Sequence, residues 1–176
     1  MDCIGPLDRP SSQGHKYSLW IVDNCTRWPS VYMLKSLTPK AVCEALLDLF
    51  VTIGVSKVIV SDCGTNFTSQ LTQEMLTRLG CTPRFNTPAH PKASGMVERF
   101  NQTCKKMLYH VIQRLGRMWH QFVPLMLSAL REVPNATTGI SPYKLVYGEP
   151  QRATLDFEGI VDWREHYICQ FGTARR

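Results

Sequence analysis

The chain has 176 residues, enough for one compact domain with its own core and too few for two of ordinary size. With 44% hydrophobic and 19% charged residues its composition is globular rather than disordered, and no run of 18 apolar residues offers a membrane span. Lys and Arg outnumber Asp and Glu by 20 to 14, and the resulting +6 favours a polyanionic partner, nucleic acid first. In chain order, residues 1–4 read as the end of a strand, and GPLDRPSSQGHK (5–16) as a loop rich in Gly, Pro and Ser. Tyr17 to Asp23 is an aromatic and β-branched strand, Asn24 to Pro29 a turn, and Ser30 to Leu34 a further strand, so the three form an antiparallel meander. Thr38 and Pro39 open a helix as N-cap and first helical residue, and Gly54 stops it. Lys57 to Ser61 is a short buried strand, Ser69 to Leu79 a helix closed by Gly80, and Thr82 to Asn86 a strand. Residues 87–95, TPAHPKASG, form a loop that two prolines and a glycine keep irregular. A long helix from about Met96 to Leu115 places Val97, Phe100, Cys104, Met107, Leu108 and Val111 on one apolar face. Helices at about Trp119 to Val133 and Ser141 to Tyr147 follow.

Three strands, helix, strand, helix, strand, then helices is the order of a mixed α/β domain, a five-stranded sheet flanked by helices; it is the order of ribonuclease H-like domains, but periodicity alone does not single that fold out and the motifs must. Seven cysteines at even spacing, with no C-x-x-C, argue against a disulfide framework or a cysteine zinc site. Reduced thiols and the absence of a signal peptide in MDCIGPLDRP point to a nuclear or cytoplasmic protein that is not secreted. Without a secretory signal, the N-x-Thr sequons at Asn24, Asn66, Asn101 and Asn135 are read as chance.

Acids decide the function. VIVSDCGTNF ends a core strand in Asp62, and Gly64 lets the backbone turn away behind it. In open α/β sheets that strand end is where sites are built. Glu98, after a gap of 35 residues, shares the polar side of the long helix with Asn101, Gln102 and Lys105. Asp2 lies on the first strand, which a meander places beside the strand of Asp62. Three such carboxylates suit a hard divalent cation, and a pair of ions supports phosphodiester displacement. Each acid also has a plainer reading: Asp62 as a turn residue, Glu98 as solvated helix surface, Asp2 as a terminal residue without a role. Asp23 is a rival first acid, read here as a turn cap.

SDCGTNF followed at that spacing by GMVERFN resembles the catalytic core of retroviral and LTR-retrotransposon integrases. VDNCTRWP, TPAHPKASG and TGISPYKLVYGEP resemble segments of the gypsy-like members, and the similarity covers residues 1–150. The resemblance implies DDE-type polynucleotidyl transfer: 3′-end processing and strand transfer with two Mg²⁺ or Mn²⁺ ions held by Asp2, Asp62 and Glu98. It also implies that Asn66, His90, Lys92, Asn101 and Lys105 face DNA, with element ends and target DNA as partners. Homo-oligomers are common among such cores, and Trp119, Phe122 and Leu125 are either a dimer face or core. Residues 1–150 are then the core and 151–176 an irregular extension. The few residues before Asp2, and the lack of the family's His-His-Cys-Cys zinc module and C-terminal barrel, lead to the expectation of a polyprotein fragment or a reduced copy. A domesticated DNA-binding module without catalysis is the alternative; a nuclease for RNA–DNA hybrids shares only the fold class.

Overall fold

The computed structural model describes residues 1–85, 91–136 and 138–151, and for 91–101 the backbone alone. The expected site residue His90, the expected strand end at Asn86 and nearly all of the extension expected at 151–176 lie outside the described residues. The elements in order are β1 (Asp2–Ile4), β2 (Tyr17–Val22), β3 (Pro29–Leu34), α1 (Pro39–Ile53), β4 (Val58–Ser61), α2 (Gln70–Arg78) and β5 (Thr82–Phe85). After them come α3 (Pro91–Leu115), a 3₁₀ turn (Gly116–Gln121), α4 (Val123–Glu132) and α5 (Pro142–Tyr147). Packing divides the chain into two compact units: residues 1–23 with 29–127, and residues 24–28 with 128–176.

In the first unit β1, β2 and β3 form an antiparallel ladder that sets Asp2 opposite Trp20 and Cys3 opposite Leu19. β4 and β5 pair in parallel, Val58 to Thr82 through Ser61 to Phe85. Parallel neighbours need a crossover, which α2 supplies. Among the described residues hydrogen bonding therefore gives a three-stranded and a two-stranded ladder in place of one continuous five-stranded sheet. β1 is three residues long, too short for a second full ladder. The Met1 amino group nevertheless donates to the Val60 carbonyl at 2.5 Å, which puts β1 beside β4 as the meander required.

The helices begin and end as their caps dictate. Thr38 Oγ1 accepts from the Ala41 amide at 3.2 Å, Pro39 follows, and Gly54 closes α1 at φ 87° with its amide on the Phe50 carbonyl. The buried face of α1 (Val42, Ala45, Leu46, Phe50) joins Leu19, Leu34, Ile59, Phe67, Leu76 and Cys81 in one apolar core. On α3, Cys104, Met107, Leu108 and Ile112 are buried.

Two boundaries differ from expectation. α3 begins at Pro91, so residues 91–95 are helical. Proline suits the first helical position, and one glycine inside a 25-residue helix costs only about 1 kcal/mol. The helix expected from Trp119 is instead a 3₁₀ turn followed by α4, because Gly116 (φ 54°) breaks the run and Pro124 fits only a first turn. Trp119 is fully buried and donates Nε1 to the Arg9 carbonyl at 3.1 Å, so it is core, whereas Phe122 is exposed.

The second unit is held by aromatic rings. Trp28 meets Tyr147 edge-on at 5.7 Å, Tyr143 and Tyr147 lie 4.6 Å apart, and the Arg131 guanidinium sits 4.1 Å over the Trp28 ring. Ser141 caps α5, Pro142 starts it and Gly148 ends it in the left-handed region. Among the described residues no helix is long and apolar enough to cross a membrane.

Candidate active site

Asp62 is the first residue past β4, at the carboxyl end of the strand. Its exposed side chain is held by the turn behind it: Oδ1 accepts from the Gly64 amide at 3.1 Å. The Gly64 carbonyl in turn accepts from the Phe67 and Thr68 amides at 2.9 and 3.0 Å. A Cβ on residue 64 would stand 3.0 Å from Asp62 Oδ1 and 3.3 Å from the Phe67 ring, so the glycine gives the carboxylate its room. Phe67 is 3% exposed and anchors this loop in the core. Asn66, expected to face DNA, follows on the same loop. Its carbonyl is clamped by the hydroxyls of Ser69 (3.2 Å) and Thr72 (2.9 Å), so the loop is tied to the start of α2.

Asp2, the first residue of the short ladder formed with β2, is half-buried. Its Oδ2 accepts an ion-paired hydrogen bond from Lys105 Nζ at 3.0 Å. That bond links α3 to β1. Lys105 was expected to line a DNA channel, and the ion pair was not legible in the sequence. The only hint was that Lys105 lies two helical turns after Glu98. Glu98, Lys92 and Asn101 stand on α3 with their side chains outside the described residues.

The surroundings of the two described acids overlap. Burial pushes the Cys3 thiol up to about 11, with the charges of Asp2 and Asp62 adding to the rise and Lys105 opposing it. Burial also lowers the Met1 amine, against the pull of the same two carboxylates. Asp2 and Asp62 thus act on common neighbours, one from β1 and one from the end of β4.

The donor set fits a hard divalent cation. Two carboxylates share one neighbourhood, and the nearby thiol holds its proton and does not compete as a soft ligand. The Lys105 ammonium already supplies positive charge to Asp2. Among the described residues no three metal-binding side chains gather; the side chain of the third expected acid, Glu98, is not among them.

A family model described as "Integrase core domain" matches residues 1–91. The Gag-Pol polyprotein of Walleye dermal sarcoma virus is 33% identical over 140 residues, 78% of this chain and 8% of the polyprotein. The Gag-Pol polyprotein of Gibbon ape leukemia virus is 33% identical over 144 residues, covering 81% and 8%. The chain thus spans less than a tenth of the length of these curated relatives. Among solved structures, the catalytic core domain of BIV integrase matches with TM-score 0.62 and 20% identity, over 82% of this chain and 90% of that one. A simian T-cell lymphotropic virus intasome in complex with PP2A regulatory subunit B56 gamma matches with TM-score 0.66 and 20% identity, over 88% of this chain and 58% of that one. The fold is therefore the ribonuclease H-like α/β fold of integrase catalytic cores.

Proposed function

The chain belongs to the integrase core domain family, and we propose that it is a metal-dependent polynucleotidyl transferase core for DNA integration. The observation that supports this reading best is the placement of Asp2 on β1, beside the β4 strand that ends at Asp62, with Lys105 of α3 ion-paired to Asp2. In it, Asp2, Asp62 and Glu98 would hold two Mg²⁺ or Mn²⁺ ions. When bound, the ions activate the attacking oxygen and stabilise the leaving one.

The chain's own residues supply position. The Gly64–Phe67 turn fixes where the Asp62 carboxylate stands, and Ser69 and Thr72 keep that turn from moving. Asn66, His90, Lys92, Asn101 and Lys105 line the DNA in this reading. In 3′-end trimming water attacks a phosphodiester phosphorus and the element strand's 3′-oxygen leaves as the new 3′-hydroxyl; in joining that hydroxyl attacks a target phosphorus and displaces the target strand's 3′-oxygen. Neither step needs a covalent protein intermediate, so alignment and charge stabilisation carry the rate. The partners are element ends and target DNA, the active form is a homo-oligomer, and the setting is nuclear or cytoplasmic.

Strand exchange on a branched DNA mimicking an integration product, with Mg²⁺ or Mn²⁺, tests the proposal. Asp62→Asn and Glu98→Gln should each lose activity by about a hundredfold or more, as loss of a group stabilising transition-state charge does. Activity in either variant equal to wild type refutes the triad. DNA binding without exchange in every form, wild type included, assigns the chain to the non-catalytic alternative.

A further inference from the structure

The chain's positive charge is concentrated in one segment. Arg99 to Arg131 contains Arg99, Lys105, Lys106, Arg114, Arg117 and Arg131 and no Asp or Glu. It therefore carries the whole +6, and the remaining residues balance fourteen basic against fourteen acidic.

The structure arranges part of this charge as a stripe. Lys106, Gln113, Arg114 and Arg117 are exposed and recur at i+7, i+8 and i+11, one side of α3 and its 3₁₀ continuation. Cys104, Met107, Leu108 and Ile112 take the opposite, buried side. Tyr109 (56% exposed) and Met118 (43%) add apolar surface beside the cations. Among the described residues no carboxylate pairs with Lys106, Arg114 or Arg117. The far end is held in place: the Arg117 carbonyl accepts from the Ser12 amide at 2.7 Å, and Trp119 Nε1 reaches the Arg9 carbonyl. The loop that docks there brings Asp8 together with Arg9 and so adds no net charge.

Like charges on one helix side repel, and soluble surfaces ordinarily interleave both signs. A preorganised row of unpaired cations with interleaved aromatic surface fits a polyanion with regularly spaced charges.

We propose that Lys106, Arg114 and Arg117 form a phosphate track that grips duplex DNA by its backbone, about 16 Å long from eleven helical steps. The track runs away from the acid pair. It rests on the reading that DNA is the substrate, and adds a sequence-independent grip outside the reacting centre.

The test is equilibrium binding of a labelled duplex to the full chain in EDTA, from 50 to 200 mM KCl. It compares wild type, Arg114→Gln/Arg117→Gln, Asp62→Asn and the charge-matched control Lys57→Gln/Arg78→Gln. Each lost phosphate contact lowers the log–log salt slope by about 0.9. The track variant should thus lose about 1.8 of slope, and fall about tenfold less in affinity than wild type across that salt range. The control should keep the wild-type slope. Equal slope changes in the track variant and the control would reduce the effect to net charge and overturn the track. So would an unchanged slope in the track variant, or no duplex binding by wild type. Strand exchange measured on the same proteins separates the failures: a track that fails while Asp62→Asn still abolishes exchange leaves the proposed chemistry standing.

Discussion

Asp2 places its negative charge on a strand of three residues, and Lys105 answers it from α3 at 3.0 Å with a side chain 45% exposed. A half-exposed pair of this kind contributes at most about 1 kcal/mol. The same ammonium competes for Asp2 with any divalent ion that the acids hold. Lys105→Met should therefore tighten Mn²⁺ binding about two- to fivefold in calorimetry on the full chain without DNA. Lys106→Met, next along the helix and equal in charge change, should leave it alone. Unchanged or weaker binding in Lys105→Met would remove the competition from the account. Cys3 gives an independent reading of the same neighbourhood. Burial chiefly, and the two carboxylates in addition, raise its thiol to about 11 from an ordinary 9.0. The sign follows: the unfolded thiol ionises near 9, the folded one holds its proton to about 11, and stability falls as pH rises through that window. At pH 8, alkylation followed by peptide mapping should label exposed Cys25 and Cys63 well ahead of Cys3, although Cys3 is only half-buried. Asp62→Asn should speed Cys3 labelling, and an unchanged rate there would mean that Asp62 does not act on the thiol.

The short loop from β4 to α2 positions the proposed chemistry through its backbone. Ser69 Oγ caps α2 by accepting from the Thr72 amide at 3.3 Å and donates to the Asn66 carbonyl at 3.2 Å. Ser69→Ala removes both bonds and the 2.9 Å bond between the Ser69 and Thr72 hydroxyls, and should lower stability by about 1–2 kcal/mol in urea unfolding. Gly64→Ala should act differently. Its new methyl presses on Asp62 Oδ1 and the Phe67 ring, so strand exchange should fall while the urea midpoint moves little. A midpoint that falls as far as in Ser69→Ala, with exchange intact, would contradict this account. These elements were legible in the sequence because local chemistry decides them: Thr38 with Pro39, Ser69 before an amphipathic turn, Gly54 and Gly80 at the ends. The start of α3 at Pro91 was not, because two prolines and a glycine read as breakers when only their propensities are weighed. The split of the strands into two ladders was also hidden, since pairing is long-range and leaves no mark on a three-residue strand.

At the scale of the molecule, strand position made the acids at 2 and 62 candidates, and only the resemblance of the surrounding motifs selected them. The Lys105 ion pair and the charge stripe could not, for both depend on which helix side the core leaves exposed. The division into two compact units was equally hidden, because residues 24–28 leave the β2–β3 hairpin to join a segment a hundred positions away. Trp28 shows the physical reason: its ring finds Tyr143, Tyr147 and the Arg131 guanidinium there. Two aromatic pairs and a partly buried cation–π contact sum to about 2–3 kcal/mol. The second unit has few other buried side chains among the described residues, so that sum is a large share of what holds it. Trp28→Ala should therefore raise amide hydrogen exchange in α5 and in residues 128–136. Amides of α1 and of the β1–β3 ladder should keep their protection, because the apolar core of the first unit contains none of these residues. Uniform loss of protection in both units would show that they unfold as one, and that the aromatic cluster supports the whole chain rather than its own unit.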